Sequence, residues 1–426
     1  PDPYDVERFN ETARETVRRL RNHPSIAIYV GRNEGNPPAE IDSYLAEMTA
    51  REHPGIYYLS NSADSPVSGR GPYRALPVKE YYKLFGLEKL HSERGMPCVM
   101  NIENMTRSFG KDAIDPVSTL AHPNVMYGHH DYALGNVPGA SSAQRTDTFN
   151  NLMAEAFGEP EDAEEFTKWS QWLTYNGYRA IFEARSAHRR GMLLWMSHPS
   201  WPSMVWQTYD YYFEPTPAYF ACRKACEPMH IQWNPLTNEV EAVSWYASEE
   251  KDLVVNAEIL NLDGSVAWQK ETVIDLGADR TVSCFALEFP DSLSDVFFVR
   301  LKLTDSNGRT LSENFYWEGR QEGNWKALRN VPQTRLDVSA SEVWSGDEKV
   351  MKMEVTNSGK APALMLRVKV TDSVTGDLIL PAWYSDNYFF MMPGESRTLT
   401  VRVREEDSTG DPVISISGLN VCGTHP

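Results

Sequence analysis

A chain of 426 residues is too long for one small domain, and at about 150 residues each it holds roughly three. Apolar residues make up 41% and charged residues 23%, an ordinary globular mixture, and no run of about 18 apolar residues marks a membrane helix. Lys and Arg number 41 against 59 Asp and Glu, a net charge of −18 that repels phosphate backbones, so neither nucleic acid nor membrane is an expected partner. The five cysteines, Cys98, Cys222, Cys226, Cys284 and Cys422, show no Cys-x-x-Cys spacing, so neither a disulfide framework nor a zinc site is expected. Cys222 and Cys226 share one face of an expected helix and read as small buried hydrophobes. The chain opens Pro1-Asp2-Pro3-Tyr4, with no initiator Met and no signal peptide, which says little about export.

The elements alternate at first. Val6, Phe9, Ala13, Val17 and Leu20 recur at helical spacing over residues 5–22, and His23-Pro24 ends that helix. Ile26 to Val30 is an unbroken apolar run before Gly31, as suits a strand buried on both faces. Pro37-Pro38 opens a second helix with Ile41, Tyr44, Leu45 and Met48 on one face. A short strand follows at Ile56–Leu59. Helix and strand in alternation indicate an α/β fold. Residues 146–190 read as helical, with Trp169, Trp172, Leu173, Tyr178 and Phe182 apolar, and Met192–Met196 as a strand. Aromatic side chains crowd this region, and they serve either as sugar platforms or as core.

After about residue 228 the period changes to two. Alternating runs at Val254–Leu260, Phe297–Leu303, Val350–Val355, Leu364–Val370 and Leu399–Val403 are separated by turns such as Asp263-Gly264 and Pro393-Gly394. Short strands with regular turns predict two β-sandwiches, and the polar stretch Glu318–Gln333 reads as the linker between them.

Chemistry concentrates at three places. Arg32-Asn33-Glu34 stands at the end of the first buried strand, where (β/α)8 barrels build active sites. A carboxylate there suits a general acid, although an N-cap cluster ahead of the Pro37-Pro38 helix explains it equally. Glu93, in Leu90-His91-Ser92-Glu93-Arg94-Gly95-Met96-Pro97, again follows a short apolar stretch, and alone is a weak signal. His91 either orients Glu93 or fills space, and Arg32 and Arg94 either lower a carboxylate pKa or point away. Trp195, Trp201 and Trp206 crowd a third strand end, as a sugar platform or as barrel packing. His198 and Trp201 are candidates to line the site, as is Tyr58 on the strand after Glu34. His129-His130-Asp131 lacks a third metal ligand at a suitable spacing and reads as a polar loop.

Together these segments resemble glycoside hydrolase family 2, on the side of the β-mannosidases and exo-β-glucosaminidases. Asn22-His23-Pro24-Ser25-Ile26 with Gly31-x-Asn33-Glu34 resembles the acid/base motif. Ser92-Glu93-x-Gly95-x-Pro97 resembles the nucleophile motif. Leu194-Trp195 through Trp201-Pro202, Asp210-Tyr211-Tyr212 and Pro217-x-Tyr219 resemble the last barrel strand and closing helix. Asp386-Asn387-Tyr388-Phe389 with Pro393-Gly394-Glu395 resembles a C-terminal immunoglobulin-like domain of that branch. The resemblance implies the second half of a (β/α)8 TIM barrel over 1–227, then immunoglobulin-like β-sandwiches over 228–330 and 331–426. It implies Glu34 as acid/base, Glu93 as nucleophile, Asn33 on the sugar 2-substituent and Trp195 as the floor of the sugar pocket. The reaction implied is retaining hydrolysis of a terminal β-mannoside or β-glucosaminide, without metal or cofactor. It also implies a periplasmic or secreted setting.

Half a barrel exposes strand edges and apolar faces, so the first half is expected from another chain or from sequence outside these residues. A β-galactosidase or β-glucuronidase specificity, or a non-catalytic carbohydrate-binding fragment, are the alternative readings.

Overall fold

The computed structural model describes residues 4–87, 89–132, 146–188, 190–204 and 206–424. Contacts divide them into two compact units. The first comprises residues up to 72 with 87–94 and 188–195; the second holds the rest.

The first unit begins with α1 (Val6–Leu20), whose N-cap Asp5 accepts the Arg8 N–H at 2.9 Å. Strand β1 (Ile28–Arg32) pairs in parallel with β2 (Tyr57–Asn61), and α2 (Ala39–Glu52) connects them. The first strand thus starts two residues later than the apolar run suggests, and Gly31 lies inside it. The reason is space. A Cβ at Gly31 would stand 2.3 Å from the Tyr58 hydroxyl, so only glycine permits this approach of β2. Val17 of α1 packs with Ile41, Leu45 and Met48 of α2. Phe9, expected on the buried face, is exposed instead. Glu52 clamps the two helices by accepting from Arg18 Nε at 2.9 Å. A second parallel sheet orders β3 (Val67–Ser68), β4 (Leu90–Arg94) and β5 (Met192–Leu194).

The second unit contains six helices among its described residues: α3 (Val78–Phe85), α4 (Ile102–Phe109), α5 (Val125–His129), α6 (Thr146–Phe157), α7 (Ala163–Glu183) and α8 (Pro217–Ala225). The aromatics of α7 are core. Trp169 stacks on Phe157 with centroids 4.3 Å apart, and Trp172 meets Trp317 edge-on at 4.6 Å. Cys222 is only half-buried and Cys226 is exposed, which corrects the reading of both as interior groups.

Two antiparallel sheet pairs follow. In the first, β6 (Met229–Asn234), β7 (Glu239–Ser244) and β10 (Arg280–Ala286) form one sheet. Strands β8 (Glu250–Asn261), β9 (Val266–Leu276), β11 (Val296–Thr304) and β12 (Thr310–Gly319) form the other. Their inward positions, among them Ile231, Val255, Val299 and Leu301, make one core. The second pair is built from β13 (Leu336–Ser345), β14 (Glu348–Asn357), β16 (Trp383–Tyr384) and β18 (Ser396–Arg404) against β15 (Ala363–Asp372), β17 (Phe389–Met391), β19 (Pro412–Gly418) and β20 (Val421–Thr424). Met353, Leu366, Val370 and Ile416 are fully buried in it.

The polar segment between the sandwiches is anchored. Trp325 N–H donates to the Ala156 carbonyl at 2.8 Å, and Leu328 is fully buried. Its few apolar residues are all spent on packing, which the polar average of the stretch hides.

Replacing Leu366 by Ala leaves a cavity in the second sandwich, and a loss of about 2–5 kcal/mol is expected in denaturant unfolding.

Candidate active site

Parallel strands end on the same side, so β1 to β5 deliver their C-terminal residues to one edge of each sheet. Ser62, just beyond β2, gathers them. Its Oγ donates to Asn33 Oδ1 at 3.2 Å and accepts the Glu34 N–H at 3.0 Å. Its own N–H donates to the Arg32 carbonyl at 3.1 Å. Its carbonyl accepts the Ser92 hydroxyl. The residues before the two candidate carboxylates are therefore held through a single serine.

The backbone at both carboxylates is irregular. Glu34 has φ of +51°, in a region that a long side chain rarely occupies. Its carbonyl accepts from Arg70 Nη2 at 2.9 Å, which braces that turn. In β4, His91 pairs with Met192 and Arg94 with Leu194, so β4 spends one residue more than β5. That bulge falls at Ser92-Glu93, and bulges re-aim side chains beside active sites. Glu93 is buried whereas Glu34 is exposed. Gly69 closes the arrangement. A Cβ there would lie 2.3 Å from the Ser62 carbonyl oxygen and 2.6 Å from Ser92 Oγ.

Arg94 turns inward rather than to solvent. Its guanidinium donates to the Glu93 carbonyl at 2.5 Å, Ser68 Oγ at 2.6 Å and His91 Nδ1 at 3.1 Å. Because arginine only donates, Nδ1 of His91 is the acceptor and its proton sits on Nε2. Burial first, then the Arg94 charge, push the His91 pKa down to about 4. His91 is thus held neutral against Arg94 within β4. The Trp195 N–H donates to the Arg94 carbonyl at 2.7 Å, and its ring is 45% exposed. Trp195 is therefore fastened beside the end of the Glu93 strand with a face open to a ligand.

Other candidates go elsewhere. Tyr58 packs with the α1–α2 cluster and donates to Asp42 Oδ1 at 2.7 Å, so its hydroxyl serves the helical side. His198 and Trp201 belong to the second unit. His198 stacks on Phe213 with centroids 4.3 Å apart, and Trp201 stacks with His130 at 6.1 Å. Trp206 donates to the Tyr73 carbonyl at 2.9 Å and is a packing residue. His130 also stacks on Phe109, and among the described residues no group of three His, Cys, Asp or Glu side chains is placed to hold a metal. Ser62 is a positioning residue that spacing alone does not single out, whereas Arg94 stood out beside Glu93 with its direction left open. Ser62 stands just past a strand end, as Asn33 and Glu34 do, and that position was its signal.

The exo-β-D-glucosaminidase Ig-fold domain family matches residues 314–421, and the mannosidase Ig/CBM-like domain family matches residues 243–318. An exo-β-D-glucosaminidase of Amycolatopsis orientalis is 27% identical over 95% of the chain and 42% of its own length. A mannosylglycoprotein endo-β-mannosidase of Lilium longiflorum is 24% identical over 99% of the chain and 55% of its own length. The solved Amycolatopsis orientalis exo-chitosanase CsxA superimposes with a TM-score of 0.86 at 22% identity, covering 99% of this chain and 54% of that one. The chain spans about half the length of the relatives it matches.

These matches define the class: the chain is a relative of the glycoside hydrolases, with immunoglobulin-like domains after its α/β part. Among them it is similar to proteins named exo-β-D-glucosaminidase and endo-β-mannosidase.

Two outcomes are expected. Gly69→Ala should cost about 1–3 kcal/mol in thermal or denaturant unfolding, because strand ends must separate to admit the methyl group. For His91 the folded pKa, about 4, lies below the ordinary 6.5, so between these values the unfolded chain binds the proton. Stability should fall as pH drops through that window, and His91→Gln should flatten the dependence measured by unfolding at several pH values.

Proposed function

We propose that this chain carries the catalytic pair of a retaining exo-β-glycosidase acting on terminal β-glucosaminides or β-mannosides. The observation that carries the reading is the Ser62 link between Asn33-Glu34 and Ser92-Glu93. Residues 1–227 supply the second half of a (β/α)8 barrel, and residues 228–330 and 331–426 supply the two sandwiches. In the first step Glu93 attacks the anomeric carbon while Glu34 protonates the departing oxygen. In the second step Glu34 takes a proton from water, which displaces Glu93 from the glycosyl-enzyme. The two carboxyl groups work about 5–5.5 Å apart in such a mechanism.

The Ser62 hydrogen bond occupies Asn33 Oδ1 and leaves the amide N–H₂ to donate to the sugar 2-substituent. Trp195 offers its ring as the floor. The names of the relatives favour an amino sugar first and mannose second. Tyr58 is withdrawn from the substrate contacts, since its hydroxyl is committed to Asp42.

Val30 on β1 and Tyr57 on β2 are 48% and 56% exposed. Apolar strand residues in water argue for a cover, and further barrel strands fit that need. Activity is therefore proposed for the chain together with those strands.

The test is hydrolysis of aryl β-glucosaminide, β-mannoside, β-galactoside and β-glucuronide, with and without the preceding half-barrel supplied. Cleavage of the first or second is expected in the complemented protein. Glu93→Ala should lower it by about 10⁴-fold or more. Glu34→Gln should lose about 10²–10⁴-fold on glycosides with poor leaving groups and far less on activated aryl glycosides, because only the former need protonation. Equal losses on both would remove Glu34 as the acid, and a silent panel from folded, complemented protein would favour the carbohydrate-binding fragment.

A further inference from the structure

The second unit carries an open groove of about 830 Å³ that the proposed mechanism does not use. One wall is formed by the turn at 210–214 with His198 and with Arg107 of α4. The other comes from loops of the second sandwich, at 372–380 and 407–409.

The aromatic wall is displayed at a cost. Tyr211 is 38% exposed and Phe213 54%. Phe213 also stands at φ of +67°, in the left-handed region that a bulky residue rarely occupies and glycine enters freely. A half-exposed ring adds little to a core, so burial does not explain this strain. Outliers of this kind gather at ligand clamps. The turn is enforced from inside by Asp210, which is fully buried. Its Oδ1 accepts the Tyr212 N–H at 2.9 Å and the Glu214 N–H at 3.0 Å. His198 stacks on Phe213 within 13° of parallel, and its Nε2 donates to the Tyr211 carbonyl at 3.3 Å. The Arg107 guanidinium lies 4.2 Å over the Tyr212 ring.

The sandwich wall is polar and equally fixed. Asp372 accepts the N–H groups of Val374 at 2.7 Å, Thr375 at 3.1 Å, Thr409 at 2.6 Å and Gly410 at 2.9 Å, which ties two loops together. The Asp377 N–H donates to Thr375 Oγ1 at 3.2 Å. Its exposed carboxylate has no hydrogen bond or ion pair among the described residues.

Open aromatic faces beside fixed hydroxyls and carboxylates suit a sugar chain, whose C–H faces lie on rings while its polar groups bond to acids. Charge selects the sugar. The lining holds three carboxylates, Asp372, Asp377 and Asp407, against the one guanidinium of Arg107. A net charge of −18 on the whole chain adds to that field. A cationic saccharide complements the groove, and an acidic one is repelled.

We infer that this groove binds a β-linked oligomer of amino sugars without cleaving it, independently of Glu34 and Glu93. The positive charge of the occupant follows from the lining; the amino sugar as its source rests on the substrate class proposed above. Such a site would hold the protein on a polymer and raise the local concentration of chain ends.

The experiment titrates the full chain by calorimetry with a β-linked glucosamine tetramer and, separately, with a β-linked glucose tetramer. It is run at about pH 6, where amines are ammonium ions. The amino tetramer should bind saturably and about five-fold more tightly or better. Raising the salt from about 0.05 M to about 0.5 M should erase most of that preference. Phe213→Gly removes the ring and relieves the turn, and should weaken the amino tetramer about ten-fold. If that variant does not fold, Tyr211→Ala, at another exposed ring, takes its place. Asp377→Asn should weaken the amino tetramer about three-fold and spare the glucose tetramer.

Trp195→Ala should bind as the parent does. No saturable signal, or equal affinity for the two tetramers, would overturn the proposal. So would binding indifferent to both Phe213→Gly and Asp377→Asn. Binding abolished by Trp195→Ala would also overturn it, by moving the ligand to the proposed active site. A silent hydrolysis panel with groove binding intact would sink the catalytic reading alone.

Discussion

One serine between two strand ends governs the first unit. Ser62 gives its hydroxyl to the turn that holds Asn33 and Glu34, and its carbonyl to Ser92 beside Glu93. A parallel sheet brings strand ends to one side, but its own ladder does not join residues beyond those ends. Ser62 makes that join. The join depends in turn on Gly69, because any larger residue would occupy the space between Ser62 and Ser92. Arg94 completes the support from behind by gripping the Glu93 carbonyl, Ser68 and His91. The catalytic pair proposed for Glu34 and Glu93 would need such a frame, since small displacements of reacting groups cost large factors in rate.

The second unit is held by a different device. Its helices and its two sandwiches meet through buried ionised groups. Glu183 of α7, almost wholly buried, accepts from His230 at 3.1 Å, Asn314 at 2.7 Å, Tyr316 at 2.9 Å and Tyr82 at 3.0 Å. Against burial, which opposes both charges, their mutual hydrogen bond helps hold the Glu183 pKa below and the His230 pKa above the ordinary value. Near the second sandwich, Arg367 donates to Glu214 at 2.6 Å and to Glu103 at 3.0 Å. Removing one partner of such a set strands a charge in a dry interior, at about 3–5 kcal/mol. The sandwiches are thus bolted to the helices by charge as well as by the aromatic packing of Trp172, Trp317 and Trp325.

Much of this was legible in residue order. The helix at Val6–Leu20 follows from five apolar positions at helical spacing, and the sandwich strands follow from strict alternation. Both patterns are local, because periodicity reports which face of an element is buried. Glu34 and Glu93 stood out because each follows a short apolar strand. The polar stretch after Glu318 misled, since composition averages hide the two buried anchors Trp325 and Leu328. Tyr58 misled for a related reason: at the pairing Tyr57-Tyr58, alternation names two faces but not which one looks at the helices. Asp42 decides it.

The residue order by itself determined most of the elements and the acidic balance, and it offered the two candidate carboxylates and the family that their motifs resemble. Each of these is read from neighbours a few positions apart. Tertiary structure alone decided that Ser62 joins the two motifs, that Arg94 faces inward, that β4 bulges at Ser92-Glu93 and that Phe213 and Asp377 line one groove. Those facts depend on contacts between segments 26 residues apart or more. Only the packing of strands and helices brings such segments together, and periodicity within any one of them carries no record of its partner.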